Sequence, residues 1–176
     1  MKHCWLFIII ALLSGCATKP PLSISRIPPA SLSIAEVQAN PVHFTGSVVR
    51  WGGQITQVEN RAEQTWIEVV SRVLAKDGKP QMEGRSDGRF IVSLAGFADP
   101  VVYREGYLLT VVGTIEQLVK RSIGEYDYDF PVVVASGSHL WKVEPETEYQ
   151  VYPPPWWYYE PWPYYRPYPY YPRRHH

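Results

Sequence analysis

The sequence predicts a mostly β protein: a small five-stranded, OB-like barrel with one short N-terminal helix, followed by a proline-rich aromatic tail. Three observations predict it. Five runs rich in Val, Ile, Thr and aromatic residues lie between residues 45 and 143, each bounded by Gly, Asp or Pro. Glycines interrupt these runs, as bulges and barrel corners require. The last 26 positions hold 8 of the 17 prolines and 11 of the Phe, Trp and Tyr residues, a composition no compact domain carries. A curved sandwich of equal strand count is the alternative architecture. With 176 residues, 45% of them hydrophobic, the chain has room for one domain with a true core. Its 17 basic and 17 acidic groups balance, which argues against a nucleic-acid partner.

The N-terminus reads as an address. Lys2 and His3 precede the apolar run Cys4 to Leu13, and Leu13-Ser14-Gly15-Cys16 follows. A basic start, a short apolar stretch and small residues make a secretory signal over residues 1–15. The run is too short to span a bilayer, which takes about 18 or more apolar residues. Leu-Ser-Gly-Cys resembles the bacterial lipobox. That resemblance implies cleavage before Cys16, a diacylglycerol on its sulfur and a third acyl chain on its amine. Each buried methylene contributes about 0.8 kcal/mol, so three chains anchor a protein firmly. Ala17 follows Cys16 where inner-membrane retention uses Asp, so the implied destination is the outer membrane, with the domain facing the periplasm. Cys4 and Cys16 are the only cysteines, which leaves the mature domain without disulfide, thiolate nucleophile or cysteine metal site.

Residues 16–30 contain Pro20, Pro21, Pro28 and Pro29 and read as a semi-extended, lipidated tether. The domain proper is placed at residues 31–150. Ser31 to Asn40 predicts the short helix, with Ser33 and Glu36 at capping-box spacing and Pro41 as its terminator. Strands follow at Thr45 to Val58, Thr65 to Leu74, Arg89 to Leu94, Tyr107 to Leu118 and Pro131 to Val143. Lys76-Asp77-Gly78-Lys79-Pro80, Asp87-Gly88 and Asp99-Pro100 supply the turns between them.

Within these elements run Val49-Arg50-Trp51-Gly52-Gly53-Gln54-Ile55, Thr65-Trp66-Ile67-Glu68-Val69, Gly88-Arg89-Phe90, Gly96-Phe97-Ala98-Asp99-Pro100, Thr110-Val111-Val112-Gly113 and Tyr128-Asp129-Phe130-Pro131. In this order they resemble the Slp family of outer-membrane lipoproteins, named for induction on starvation. The resemblance covers about Pro41 to Lys142 and leaves out the tail after Pro145. It implies an outer-membrane location and no enzymatic activity; the alternative readings are a periplasmic binding module for a small ligand or envelope oligosaccharide, and a glycan-modifying enzyme with acids such as Asp99 or Glu68 in a cleft.

Reading the same blocks physically, Arg50, Glu68, Arg89 and Asp99 are candidates for ion pairs at strand ends, and Gly106 and Gly113 bracket a strand. Arg50, Trp51 and Arg89 form a candidate polar-aromatic binding surface. The competing expectation is that all of them serve structure alone. No motif for catalysis is visible: His43 and His139 stand far apart, no Gly-x-Ser-x-Gly elbow occurs, and phosphate loops are missing. No metal and no cofactor are expected. Glu125, Asp127 and Asp129 alternate with Tyr126 and Tyr128 and are expected to form a solvated face before the last strand. In residues 151–176, eight Pro, eight Tyr and three Trp exclude helix and central strand, which leaves polyproline II or disorder. Trp156, Trp157 and Trp162 are its candidate contacts with a membrane surface or envelope glycan.

Overall fold

The computed structural model describes residues 19–29 and 31–142. Cys16 and the tail contacts Trp156, Trp157 and Trp162 lie outside the described residues, as do Glu144, Glu146 and Glu148, which repeat the alternating acids of Glu125, Asp127 and Asp129. Five strands form a closed barrel: β1 (Val48–Asn60), β2 (Gln64–Ser71), β3 (Arg89–Ala95), β4 (Leu108–Ile123) and β5 (Tyr126–Trp141). The order around the barrel is β1-β2-β3-β5-β4, and β4 closes on β1. Neighbours are antiparallel except β3 and β5, which pair in parallel. This is the OB-like closure that the strand count and bend glycines predict.

Alternation along the strands fills the interior. Val49, Trp51 and Ile55 of β1, Ile67 and Val69 of β2, Phe90 and Val92 of β3 and Leu109, Val111 and Ile115 of β4 form one buried cluster. Register shifts between Ile55 and Gln57, Val112 and Gly113, and Ile115 and Gln117 put bulges where the strands coil. Gly113 sits inside β4, not at its end. A Cβ there would collide with the Val134 carbonyl, so the close approach of two backbones fixes the residue.

Helix α1 (Ile34–Ala39) contributes Ile34 and Val37 to the same cluster, so it plugs the barrel. Its capping box is complete: the Glu36 N–H donates to the Ser33 hydroxyl, and the Ser33 N–H donates to the Glu36 carboxylate at 2.8 Å. The helix ends at Ala39, with Asn40 out of helical conformation ahead of Pro41 as the sequence predicts, but Pro41 does more than stop it. It opens a second one, α2 (Pro41–Phe44), because proline at the first helical position lacks only an N–H that has no partner there anyway.

Two further expectations need correction. β4 and β5 are much longer than predicted, running on to a turn at Gly124 and Glu125. Asp127 and Asp129 therefore lie within β5, exposed, while Tyr128 and Phe130 face a second cluster with Trp66 and Ile91. Among the described residues no three His, Cys, Asp or Glu side chains converge. Nor is the stretch before residue 31 wholly a free tether. Leu22–Ile24 makes a 3-10 turn whose Ile24 is fully buried.

Candidate functional site

The segment Leu22–Ser33 behaves as a strap on the barrel. Its first fixing point is built on glycine. A Cβ at Gly137 of β5 would collide with the Ser23 carbonyl oxygen, and one at Gly78 would come within 2.9 Å of Ile24 Cδ1. Gly78 has φ +86°, so that turn needs glycine for its conformation as well. Thr110, buried, donates to the Gly78 carbonyl at 2.7 Å and holds the turn against β4. The second fixing point is Trp51, whose Nε1–H donates to the Leu32 carbonyl at 2.7 Å.

Between the two points the strap stands off the barrel and leaves a crevice of about 400 Å³. Ile27, Pro28 and Leu32 line it from the strap, Arg50 and Trp51 from β1, and Arg72 and Leu74 from the chain leaving β2. The Arg72 N–H donates to the Gly52 carbonyl at 2.8 Å, so Arg72 stands across from Gly52 and diagonal to Arg50. Diagonal residues of an antiparallel pair share a face of the sheet, with Cα atoms about 7–8 Å apart.

The three residues of the expected surface thus part company. Arg50 and Trp51 both reach the crevice. Trp51, however, is only 8% exposed, meets Phe90 edge-on at 5.3 Å and serves mainly as core and strap anchor. Arg89 is elsewhere: it donates to Glu68 at 2.6 Å, and Thr56 adds a second hydrogen bond to the same carboxylate. Of the four predicted ion-pair candidates only Glu68 and Arg89 pair with each other. Asp99 instead accepts from the Val101 N–H at 2.8 Å and shapes the loop after β3.

Arg72 is the crevice residue that sequence reasoning missed. Its Nη1 donates to the Gly84 carbonyl at 3.1 Å, whereas its Nε is buried without a hydrogen-bond partner. In the sequence Arg72 reads as one more residue of the strand Thr65 to Leu74, and no motif sets it apart. Asp87 also borders the crevice but makes an ion pair with neither arginine among the described residues.

Comparison with known proteins fits this architecture. The model of the outer membrane lipoprotein Slp family matches residues 13–171, further into the tail than the blocks after Pro41 reach by themselves. An uncharacterized lipoprotein, YeaY, of Escherichia coli (strain K12) is 32% identical over 84% of this chain and 76% of its own length. An uncharacterized Haemophilus influenzae protein is 34% identical over 78% of the chain and 74% of its own length. The outer membrane protein Slp of Escherichia coli (strain K12) is 30% identical over 74% of the chain and 69% of its own length. This chain belongs to the Slp family of outer-membrane lipoproteins.

Proposed function

We propose that this lipoprotein is a non-enzymatic interaction module of the cell envelope, acylated on Cys16, with its barrel on the periplasmic side and a role under starvation or stress. The docked strap carries the reading. Only residues 17–22 separate Cys16 from Ser23, whose carbonyl rests against Gly137. An anchor so near a docking point holds a compact barrel close to the bilayer, as an interaction module at a membrane would need. The acids that a hydrolytic site would draw on have structural duties: Glu68 holds Arg89, and Asp99 caps its loop. The starvation role rests on family membership and is read from transcript level in growing against starved cells.

The tail supplies a second contact. Trp156, Trp157 and Trp162 stand among prolines and tyrosines, and such rings are favoured at a membrane interface or stacked on sugars. Fractionation tests both parts. Wild type is expected in the outer membrane with label from radioactive palmitate, and Cys16→Ser unlabelled and with its leader uncleaved. The purified Cys16→Ser chain is expected to partition onto envelope vesicles or isolated glycan more strongly than the same chain cut after residue 150. A Cys16→Ser protein that still takes the palmitate label would remove the anchor, and equal partitioning would remove the tail.

A second reading, a periplasmic binding module, is favoured by one observation. The crevice under the strap holds two arginines that make no ion pair among the described residues.

A further inference from the structure

We infer that the crevice binds an anionic amphiphile: one phosphate or carboxylate head held by Arg50 and Arg72, with an apolar body lying against Ile27, Leu32 and Leu74. The inference deepens the binding-module reading and is independent of acylation. The charge inside the crevice points to the head. Among the described residues the ion-paired arginines are Arg61, Arg89 and Arg121; Arg50 and Arg72 are not among them. A guanidinium offers a planar fork that matches an oxyanion through paired hydrogen bonds. Arg72 Nε, buried without a partner, is a polar group for which the protein alone gives no use. Arg50 is half-buried and shares its face of the sheet with Arg72, so one oxyanion between them can meet both.

The walls point to the body. Beyond the arginines and Asp87 the lining is about half apolar, with Ile27, Pro28, Leu32 and Leu74 facing the crevice among Ser31, Ser33 and Ser71. A volume near 400 Å³ is in the usual range of small-ligand sites, and the apolar half of the lining offers a place for a ligand's body beside a charged head. A bare phosphate would leave those walls unused, and an uncharged hydrocarbon would leave the arginines unused. Asp87 works against an anion at the rim, which makes it a useful control.

Titration calorimetry on the full mature chain carrying Cys16→Ser tests this with probes kept below their micelle concentrations. Decyl phosphate and decanoate are expected to bind one per chain. Decanol and inorganic phosphate are each expected to bind at least about tenfold more weakly, since each lacks one half of the recognition. Arg50→Gln and Arg72→Gln should each weaken decanoate binding about tenfold with an unchanged circular dichroism spectrum, and Asp87→Asn should strengthen it. Should Arg72→Gln fail to fold, Arg50→Gln decides. Equal binding of decanol and decanoate overturns the anionic head, and equal binding of inorganic and decyl phosphate overturns the apolar body. Arginine variants that bind like wild type, or no binding by any probe, overturn the site.

Discussion

Trp51 shows how one side chain can look like a ligand platform in a sequence and act as a fastener in the fold. Its neighbours Gly52 and Gly53 suggest a ring beside open backbone, yet the ring lies in the barrel core and its Nε1–H reaches the strap at Leu32. A Cβ at Gly53 would run into the Val70 carbonyl, so that glycine answers to strand packing and not to a ligand. Trp51→Ala removes the whole ring and should cost about 3–5 kcal/mol, the range of large core truncations. Trp51→Phe is more telling. It keeps an aromatic ring against Phe90 but leaves the Leu32 carbonyl without its donor, at about 1–3 kcal/mol for an unmet polar group. Thermal unfolding should place Trp51→Phe between wild type and Trp51→Ala. A Trp51→Phe protein as stable as wild type would mean that the hydrogen bond holds nothing. Arg89 makes the complementary point. A basic residue at the head of a strand is legible, but its commitment to Glu68 depends on a register between β2 and β3 that sequence alone does not supply.

At the level of elements, local chemistry is legible in the sequence and long-range packing is not. The capping box of α1 was visible because it lies within four residues, Ser33 to Glu36. The hydrogen bonds from the Ser33 N–H and then the Ser33 hydroxyl hold the Glu36 carboxyl below its ordinary value of 4.5. A lowered folded value means that the carboxylate stabilises the protein above the ordinary value and stops doing so as the pH falls through the lowered one. Glu36→Gln keeps the shape of the cap without the charge. Wild type should therefore out-melt Glu36→Gln at neutral pH, with the difference closing in acid below 4.5. A difference that stays constant across that range would place the effect outside the carboxylate's titration. The β4–β5 hairpin is the contrary case. Residues 119–130 are rich in Lys, Arg, Asp and Glu and look like a loop. They nevertheless alternate, and the inward set packs Val119, Ile123, Tyr128 and Phe130 around Trp66 and Ile91. The signal was a period of two among charged residues, with Gly124 at φ +61° as the first position of a two-residue turn. Ile24 gave no comparable signal. An isolated apolar residue between prolines becomes a buried anchor only because Gly78 and Gly137, far along the chain, leave room for the strap.

Over the whole molecule, the strap turns an anchor into a fixed mount. With Cys16 as the lipid attachment, seven steps lead to Ser23, and an extended chain covers at most about 25 Å in that distance. Were the strap to peel away as far as Ser33, seventeen steps would allow about 60 Å and a freely turning barrel. On that anchor, docking would keep the end of the barrel near Gly78 and Gly137 toward the bilayer, with Arg26 exposed on the strap between the two fixing points. Gly137→Val tests the mount, because valine suits a strand but its side chain occupies the place of the Ser23 carbonyl. On opened outer-membrane fragments that expose the periplasmic face, trypsin should cut the variant after Arg26 and release folded barrel into solution several-fold faster than it does wild type. Far-UV circular dichroism of the released barrel should match in both. Ile24→Ser, which loosens the same contact from the strap side, should act in the same direction and guards against a Gly137→Val protein that does not fold. Equal release rates from intact barrels would mean that the strap lies on the surface without holding it, and the barrel would then hang from its lipid as an ordinary tethered domain.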